Sequence, residues 1–364
     1  MSAELKMSTY SKVYNWFTWI HIDSYKGLVR IGALFSFFIK LLSPSQYKKY
    51  HNEYTAYLSK TEIQYDPKEF KAIIACTLIY GVAVKDYFLY QFAILNDKGR
   101  REYITERNRY NIYPYFNGAK KRREMQDKYN AYLALKKFYK REAMYIGEDT
   151  SGAEIEAFFA ERDSAILKPN ASGVGKGVEI FRLSDYEDRK TAFAYLMSKE
   201  NYIMEELIRQ TGLMRSLHPQ SVNTVRVYAC RLKTGVRIFG CHLRTGIGGS
   251  VVDNAGQGGV VISVNDDGIA WTSGMDEFGH TYVYHPDSHV FIPGMIMPEW
   301  ERAKQLVEDA MQVFPDIRFV GWDIAYSDRG WVIVEANDNG QFYGYQIPHH
   351  MGVYKQMMSF VQEL

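Results

Sequence analysis

The chain has 364 residues, 46% apolar and 24% charged, which is enough for two or three packed units with hydrophobic cores of their own. Its formal charge of +2 excludes the bulk basic excess of a typical nucleic-acid binder. Cys76, Cys230 and Cys241 stand singly without CxxC spacing, which argues against a disulfide scaffold or zinc site and for buried thiols in a reducing, cytoplasmic compartment.

Two aromatic-rich stretches open the chain. Val13 to Ile22 carries Trp16, Phe17 and Trp19, and residues 27–43 hold the most apolar run. Its uncharged part, Ile31 to Ile39, falls well short of the roughly 20 apolar residues a bilayer span requires. No small-residue cleavage site follows, which argues against a signal peptide. Two readings stand for residues 11–43: they pack on the body of the protein, or they lie on a membrane surface and make it peripheral at the inner face. Most of the 29 tyrosines read as half-buried packing residues.

Ser43-Pro44 punctuates the first apolar segment, and a helix is expected from about Pro67 to Tyr80. A glycine turn at Gly81 opens a further helix through Tyr90. The basic run Lys120 to Arg123 reads as a solvated connector into a helix from Asp127 to Lys140. Residues 1–126 are thus expected to be mainly helical.

From residue 165 the pattern changes to strands and glycine turns. Ala165 to Pro169 and Gly177 to Leu183 read as a hairpin around a glycine-rich loop. A helix from about Asp185 to Lys199 and a strand from Tyr202 to Glu206 follow. Thr224 to Leu232 and Val236 to Leu243 form a hairpin through Lys233-Thr234-Gly235. The segment Pro298 to Phe314 has one apolar helical face, with Ala303, Leu306, Val307, Ala310, Met311 and Phe314. Phe319 to Tyr326 and Trp331 to Ala336 turn through Ser327-Asp328-Arg329-Gly330, and a last helix is expected over Pro348 to Glu363. Hairpins dominate, so the class is α+β.

The chemistry gathers on four segments. Asp323 interrupts one apolar strand and Glu335 the next, and Asn337 lies two residues on, on the same strand face as Glu335. Two carboxylates and an amide oxygen are hard donors that suit Mg²⁺. Taken alone, they also read as polar strand ends satisfied by backbone. Upstream, Lys168 precedes Pro169 and the run Asn170 to Gly177, whose Ser172, Gly173, Gly175, Lys176 and Gly177 would let backbone N–H groups approach phosphate oxygens. The run is neither GxGxxG before a helix nor a Walker A loop. Glu205, Glu206 and Leu207 end an apolar strand that can offer backbone to an adenine edge. A plain edge strand with solvated acids is the competing reading.

The order of these features resembles the ATP-grasp superfamily, familiar from the D-alanine–D-alanine ligases. The resemblance implies two α+β subdomains clasping ATP, here behind a mainly helical N-terminal region. It assigns Lys128 and Lys168 to phosphates, Ser172 to Gly177 to a mobile loop, Glu205 to Leu207 to the adenine hinge, and Asp323, Glu335 and Asn337 to magnesium. A narrower resemblance, to the sugar-transfer-associated ATP-grasp group, rests on Tyr87-Phe88-Leu89-Tyr90, Ser221 to Arg226, Gly248 to Asn254, Gly258-Gly259, His285-Pro286 and Gly321-Trp322-Asp323. It implies work on surface polysaccharide or glycoconjugate. The expected organisation is a helical region 1–126, a lid and nucleotide-binding subdomain 127–216, and a catalytic core 217–364.

The sequence departs from the superfamily pattern in three places. A helical, tyrosine-rich segment stands where an N-terminal α/β domain is usual. A loop from Arg209 to Gln220 stands where a ribose-binding glutamate is usual, which leaves Glu206 and His218 as candidates. Gly321-Trp322 stands where an arginine often precedes the first metal aspartate.

The resemblance implies an ATP- and Mg²⁺-dependent ligase that activates a carboxylate as acyl phosphate and passes it to an amine or hydroxyl, with a sugar among the candidate acceptors. Arg226 and Arg244, on adjacent strands of one hairpin, are the expected catalytic cations near the γ-phosphate, with surface salt bridges as the alternative. The glycine-rich loop 246–259 carries Ser250, Asp253 and Asn254 as candidate substrate contacts. His285, His289, His349 and His350 are candidates for proton transfer, although a lone histidine is more often structural. A kinase acting on a hydroxyl and a non-catalytic nucleotide-binding module of a membrane assembly remain the alternative functions.

Overall fold

The computed structural model describes residues 43–118, 125–171, 177–253, 256 and 258–364. The aromatic stretches within residues 1–42, the basic run at 120–123, and Ser172, Gly173, Gly175, Lys176 and Asn254 lie outside the described residues. The chain divides into two compact units. Of the described residues, one unit comprises those from 43 to 116 with 275–281 and 341–364; the other comprises those within 117–274 and 282–340. The expected boundaries differ from this division. Residues 341–364 belong with the helical region, and 127–216 share a unit with most of 217–340.

The first unit begins with helices α1 (Pro44–Leu58), α2 (Pro67–Tyr80), α3 (Val84–Leu89), α4 (Asp97–Arg101) and α5 (Arg109–Phe116). The bounds of α2 are chemical. Asp66 accepts a hydrogen bond from the Lys68 N–H, Pro67 occupies the first turn, and Gly81 ends the helix at φ 71°. The tyrosines pack as expected: Tyr54 stacks on Phe70 with centroids 5.4 Å apart, and Tyr57 on Phe88 at 4.7 Å.

The second unit holds two antiparallel sheets. It starts with α6 (Lys128–Tyr139), capped by the Asp127 side chain on the Asn130 N–H. Next come β1 (Ala143–Ile146), α7 (Gly152–Phe158), β2 (Ser164–Pro169), β3 (Glu179–Arg182), α8 (Arg189–Met197) and β4 (Tyr202–Glu205). The four strands form one sheet in the order β1-β4-β2-β3. The α8 helix begins later than expected because Asp188 caps it by accepting from the Thr191 N–H.

A short α9 (Gly212–Leu217) leads to β5 (Thr224–Leu232), β6 (Gly235–Thr245) and β7 (Val260–Val264); α10 (Trp300–Met311), β8 (Phe319–Ser327) and β9 (Gly330–Asn337) follow. The long strands of this larger sheet run β9-β8-β5-β6-β7. The α10 helix buries Ala303, Leu306, Val307, Ala310 and Met311 in the same cluster as Val225, Val227, Trp322 and Ile333. That stripe is the one the i, i+3, i+4 spacing predicts.

The chain ends with α11 (Tyr343–Gln346) and α12 (Tyr354–Gln362), both in the first unit. The helix expected over 348–363 is shortened to α12, and α11 precedes the expected range. At Gly352 the backbone runs against Glu102, where a Cβ would lie 2.1 Å from the Glu102 carbonyl oxygen, and helix α12 starts just beyond it. Gln346 ties the segment in: its oxygen accepts from the Ile104 N–H at 2.9 Å, and its nitrogen donates to the Ile104 carbonyl at 2.9 Å. Among the described residues no helix is long and apolar enough to cross a membrane.

Candidate functional site

The site is built by strand register. The β8–β9 hairpin sets Asp323 opposite Glu335 and Gly321 opposite Asn337, with a bulge just after Asp323. On the other side of β8, Asp323 pairs in register with Arg226 of β5. Thr224 of β5 in turn faces Arg244 of β6. Residues opposite one another, or two apart, share a face, so these six polar groups converge.

They meet closely. Arg226 grips Asp323 through Nε and Nη2, the latter 2.9 Å from Oδ2. Arg244 Nη2 lies 3.0 Å from the same oxygen, and Asn337 Nδ2 donates to it at 3.3 Å. Lys128, at the start of α6, brings Nζ to 2.9 Å from Glu335 Oε1. Asp253 accepts from the Thr224 N–H at 3.0 Å and from its hydroxyl, and lies 3.5 Å from Arg244 Nε. Room for Arg226 comes from glycine, since a Cβ at Gly321 or Gly340 would lie 3.1 Å from its side chain.

Three carboxylates thus face three permanent cations. Burial works against the charge of Asp323, but Arg226 and then Arg244 outweigh it and hold its pKa at about 2. Asp253 moves the other way, raised by burial although Arg244 pulls it down. Among the described residues no three His, Cys, Asp or Glu side chains gather as a metal cluster. The hard donors present are two carboxylates and one amide.

A second cluster joins the two sheets. Glu205 ends β4 fully buried, and receives Arg141 Nε at 2.8 Å and Lys168 Nζ at 2.8 Å. Burial opposes the Glu205 charge, and Arg141 followed by Lys168 overcomes it, holding the pKa at about 2. Arg141 also donates to the Ile333 carbonyl at 2.6 Å and the Val334 carbonyl at 3.4 Å. It therefore ties β4 to the strand that carries Glu335. Beside this cluster a small cleft is lined by Tyr139, Arg141, Glu206, Leu207, Ile208 and Val332.

A model of the sugar-transfer associated ATP-grasp family matches residues 98–362. The chain belongs to that family. It has the ATP-grasp fold with a helical N-terminal region. Among solved structures it is similar to the ATP-grasp ligase PsnB complexed with minimal precursor, at 13% identity over 68% of this chain and 64% of that one, TM-score 0.44. Another is purK, N5-carboxyaminoimidazole ribonucleotide synthetase, in an ADP complex, at 12% identity over 65% and 52%, TM-score 0.42. A third is the VanG D-Ala:D-Ser ligase from Enterococcus faecalis, at 14% identity over 65% and 61%, TM-score 0.43. The chain spans between 52% and 64% of the length of these structures. No curated protein matches it.

Within the ATP-grasp unit, Asp323, Glu335, Asn337, Arg226, Arg244 and Lys128 come together as one group, and Lys168 and Glu205 as another. Several candidate residues have other employment. The Glu205 carboxylate is taken by two cations, so any nucleotide contact there falls to backbone. Glu206 pairs with Arg329 at 2.6 Å, and His218 is buried against Ser221 and the Gly248 carbonyl, at 2.8 and 2.9 Å. Asp253 anchors the stem of its loop to Thr224 and Arg244, and Ser250 closes a local turn on Val252. His285 packs in the same network, bonded to Thr245 and the Gly246 carbonyl. Gly177 sits at φ 77°, with Pro169 where a Cβ would be. Arg141 escaped the sequence reading: a single arginine between a helix and a strand carries no local signal.

Proposed function

We propose that this protein is an ATP- and Mg²⁺-dependent ligase that activates a carboxylate as an acyl phosphate and joins it to an amine or hydroxyl acceptor in glycoconjugate synthesis. The observation that carries this reading is the register match of Asp323 with Glu335 on paired strands, with Lys128, Arg226 and Arg244 around them.

The donors suit a hard cation: both carboxylates have cationic partners, and Asp323 is held ionised. Asp323, Glu335 and the Asn337 amide oxygen would hold a magnesium ion, which when bound neutralises β- and γ-phosphate oxygens. Lys128 and Lys168 hold the α- and β-phosphates of the nucleotide. Arg226 and Arg244 fix the rotamer of Asp323 and keep positive charge beside the phosphoryl group in transfer. Leu207 and the backbone at 205–207 line the adenine side, and the loop 246–259 takes the acceptor side.

Charge balance makes a further demand. Three acids already face three bases, so a divalent ion needs the polyphosphate as its counterion. Mg²⁺ affinity measured calorimetrically on the protein alone should be at least about tenfold weaker than with a non-hydrolysable ATP analogue present. Equal affinities in the two titrations would contradict the shared site.

The direct test follows ADP and phosphate release from ATP and Mg²⁺ across amino acids and sugar acids, with paired acceptors. Release that depends on acceptor, and that falls about 100-fold or more in Glu335→Gln, supports the ligase. A stable phosphorylated hydroxyl product would assign a kinase instead, and binding without turnover a non-catalytic module.

A further inference from the structure

The loop 246–259 leaves β6 through a stem that two buried histidines hold. His285 is 0% exposed and His218 1% exposed, and their rings lie 6.1 Å apart. His285 Nε2 is 3.0 Å from the Gly246 carbonyl oxygen and 3.2 Å from Thr245 Oγ1. His218 Nε2 is 2.9 Å from the Gly248 carbonyl oxygen, and the Gly248 N–H donates to Asp287 at 2.6 Å. The fit is close: a Cβ at Gly246 would lie 2.7 Å from Ser221 Oγ and 2.9 Å from His218 Nδ1. Asp253 ties the loop separately, through the Thr224 N–H.

These partners fix the protonation of both rings. A carbonyl oxygen only accepts, so each Nε2 carries a proton. A backbone N–H only donates, and His285 Nδ1 accepts from two of them, Asp287 and Ser288, at 3.3 Å each. His218 Nδ1 accepts from the Ser221 N–H at 3.2 Å and lies 2.8 Å from the Ser221 hydroxyl. Both histidines are therefore neutral Nε2–H tautomers. A second proton on either ring would sit on Nδ1 and face those backbone donors, which turns attraction into repulsion.

The charges around the pair do not overturn this preference. Burial disfavours the charged form of His285 and lowers its pKa below the ordinary 6.5; the Gly246 carbonyl and Asp287 oppose that shift, while His218 and His289 add to it. Asp287 is also 3.9 Å from His218 Nε2. The next charged groups, Arg244 and Asp253, lie 3.5 Å from each other. The fold stabilises neutral imidazole, so the His285 contribution is complete above about pH 6.5 and is lost as pH falls through the lowered folded value.

We propose that His218 and His285 are positioning residues for the loop 246–259, holding its stem at Gly246 and Gly248 while neutral and releasing it on taking a proton. The placing of that loop on the acceptor side rests on the ligase reading; the hold on the stem does not. Joined, the two give the acceptor side of the site a lower pH limit set by imidazole.

The test follows hydrogen exchange at the Gly248 amide of the full chain, without nucleotide, between about pH 8 and pH 5, with each rate referred to that of an unstructured peptide of the same sequence. Protection should fall by about tenfold or more across that interval, while the amides of β5 keep theirs. A merely structural histidine would move both together. His285→Gln keeps an N–H donor near the Nε2 position and has no proton to gain. It should retain the protection seen at pH 8 and shrink the acid fall to about threefold or less, the remainder belonging to His218. If that variant does not fold, His218→Gln makes the same comparison. Constant Gly248 protection in the wild type, a parallel loss in β5, or an undiminished fall in a folded glutamine variant would overturn the proposal. No ATP is present, so this result and the fate of the ligase reading are separate.

Discussion

Replacing Glu205 by alanine should destabilise the ATP-grasp unit by about 3–5 kcal/mol, because it strands buried cations. Arg141 has a side chain 3% exposed and Lys168 one 13% exposed, and both direct their charge at this carboxylate. Without the carboxylate, Arg141 keeps only backbone carbonyls as partners, among them Ile333 and Val334. Denaturant unfolding of the variant measures the loss, and a change under about 1 kcal/mol would show that the triad is not structural. The triple change Arg141→Met, Lys168→Met and Glu205→Leu should recover much of the deficit, since apolar groups of similar shape avoid the desolvation of all three ions.

The same triad sets an acid limb. The Glu205 pKa is lowered from an ordinary 4.5 to about 2, so its stabilisation is complete above the unfolded value and disappears as pH falls through about 2. Asp323 behaves alike, from 3.8 to about 2. Wild-type stability should therefore drop between about pH 5 and pH 2, and Glu205→Gln should flatten part of that slope.

The second large effect concerns Asp323. On the proposed reading, Asp323→Asn should lower ATP turnover by at least about 100-fold, because it removes the carboxylate that two arginines grip and that the magnesium ion would share. The loss should fall on kcat and on Mg²⁺ dependence more than on nucleotide binding, which the proposed reading assigns to Lys128 and Lys168. Stability will fall as well, since Arg226, 8% exposed, loses its bidentate partner. Thermal unfolding measured beside the kinetics separates the two losses. Undiminished turnover in a folded variant would remove Asp323 from the chemistry.

Much of this was legible along the chain because its signals are local. The hairpins 224–245 and 319–337 follow from runs of apolar residues broken by turn chemistry at Lys233-Thr234-Gly235 and Ser327-Asp328-Arg329-Gly330. Asp323 and Glu335 stood out as charges inside apolar strands, and alternation alone placed Asn337 with Glu335. Helices α2 and α10 were readable from a capping aspartate, a glycine stop and a 3.6-residue stripe. The order of these segments was sufficient for family membership.

Tertiary structure decided which charges pair. Arg226 finds Asp323 across 97 positions, and Arg141 finds Glu205 across 64. Periodicity says which face a side chain takes, but its partner depends on which strands become neighbours. The same reason gave Asp253 its partners Thr224 and Arg244, and brought Gln346 into the helical unit. It also buried Asp86 with its Oδ1 unpartnered among the described residues, because a carboxylate on a short helix looks solvated until other segments close over it. Strand, helix and turn are set by neighbours a few residues apart; the charge networks that make the site are set by packing between distant ones.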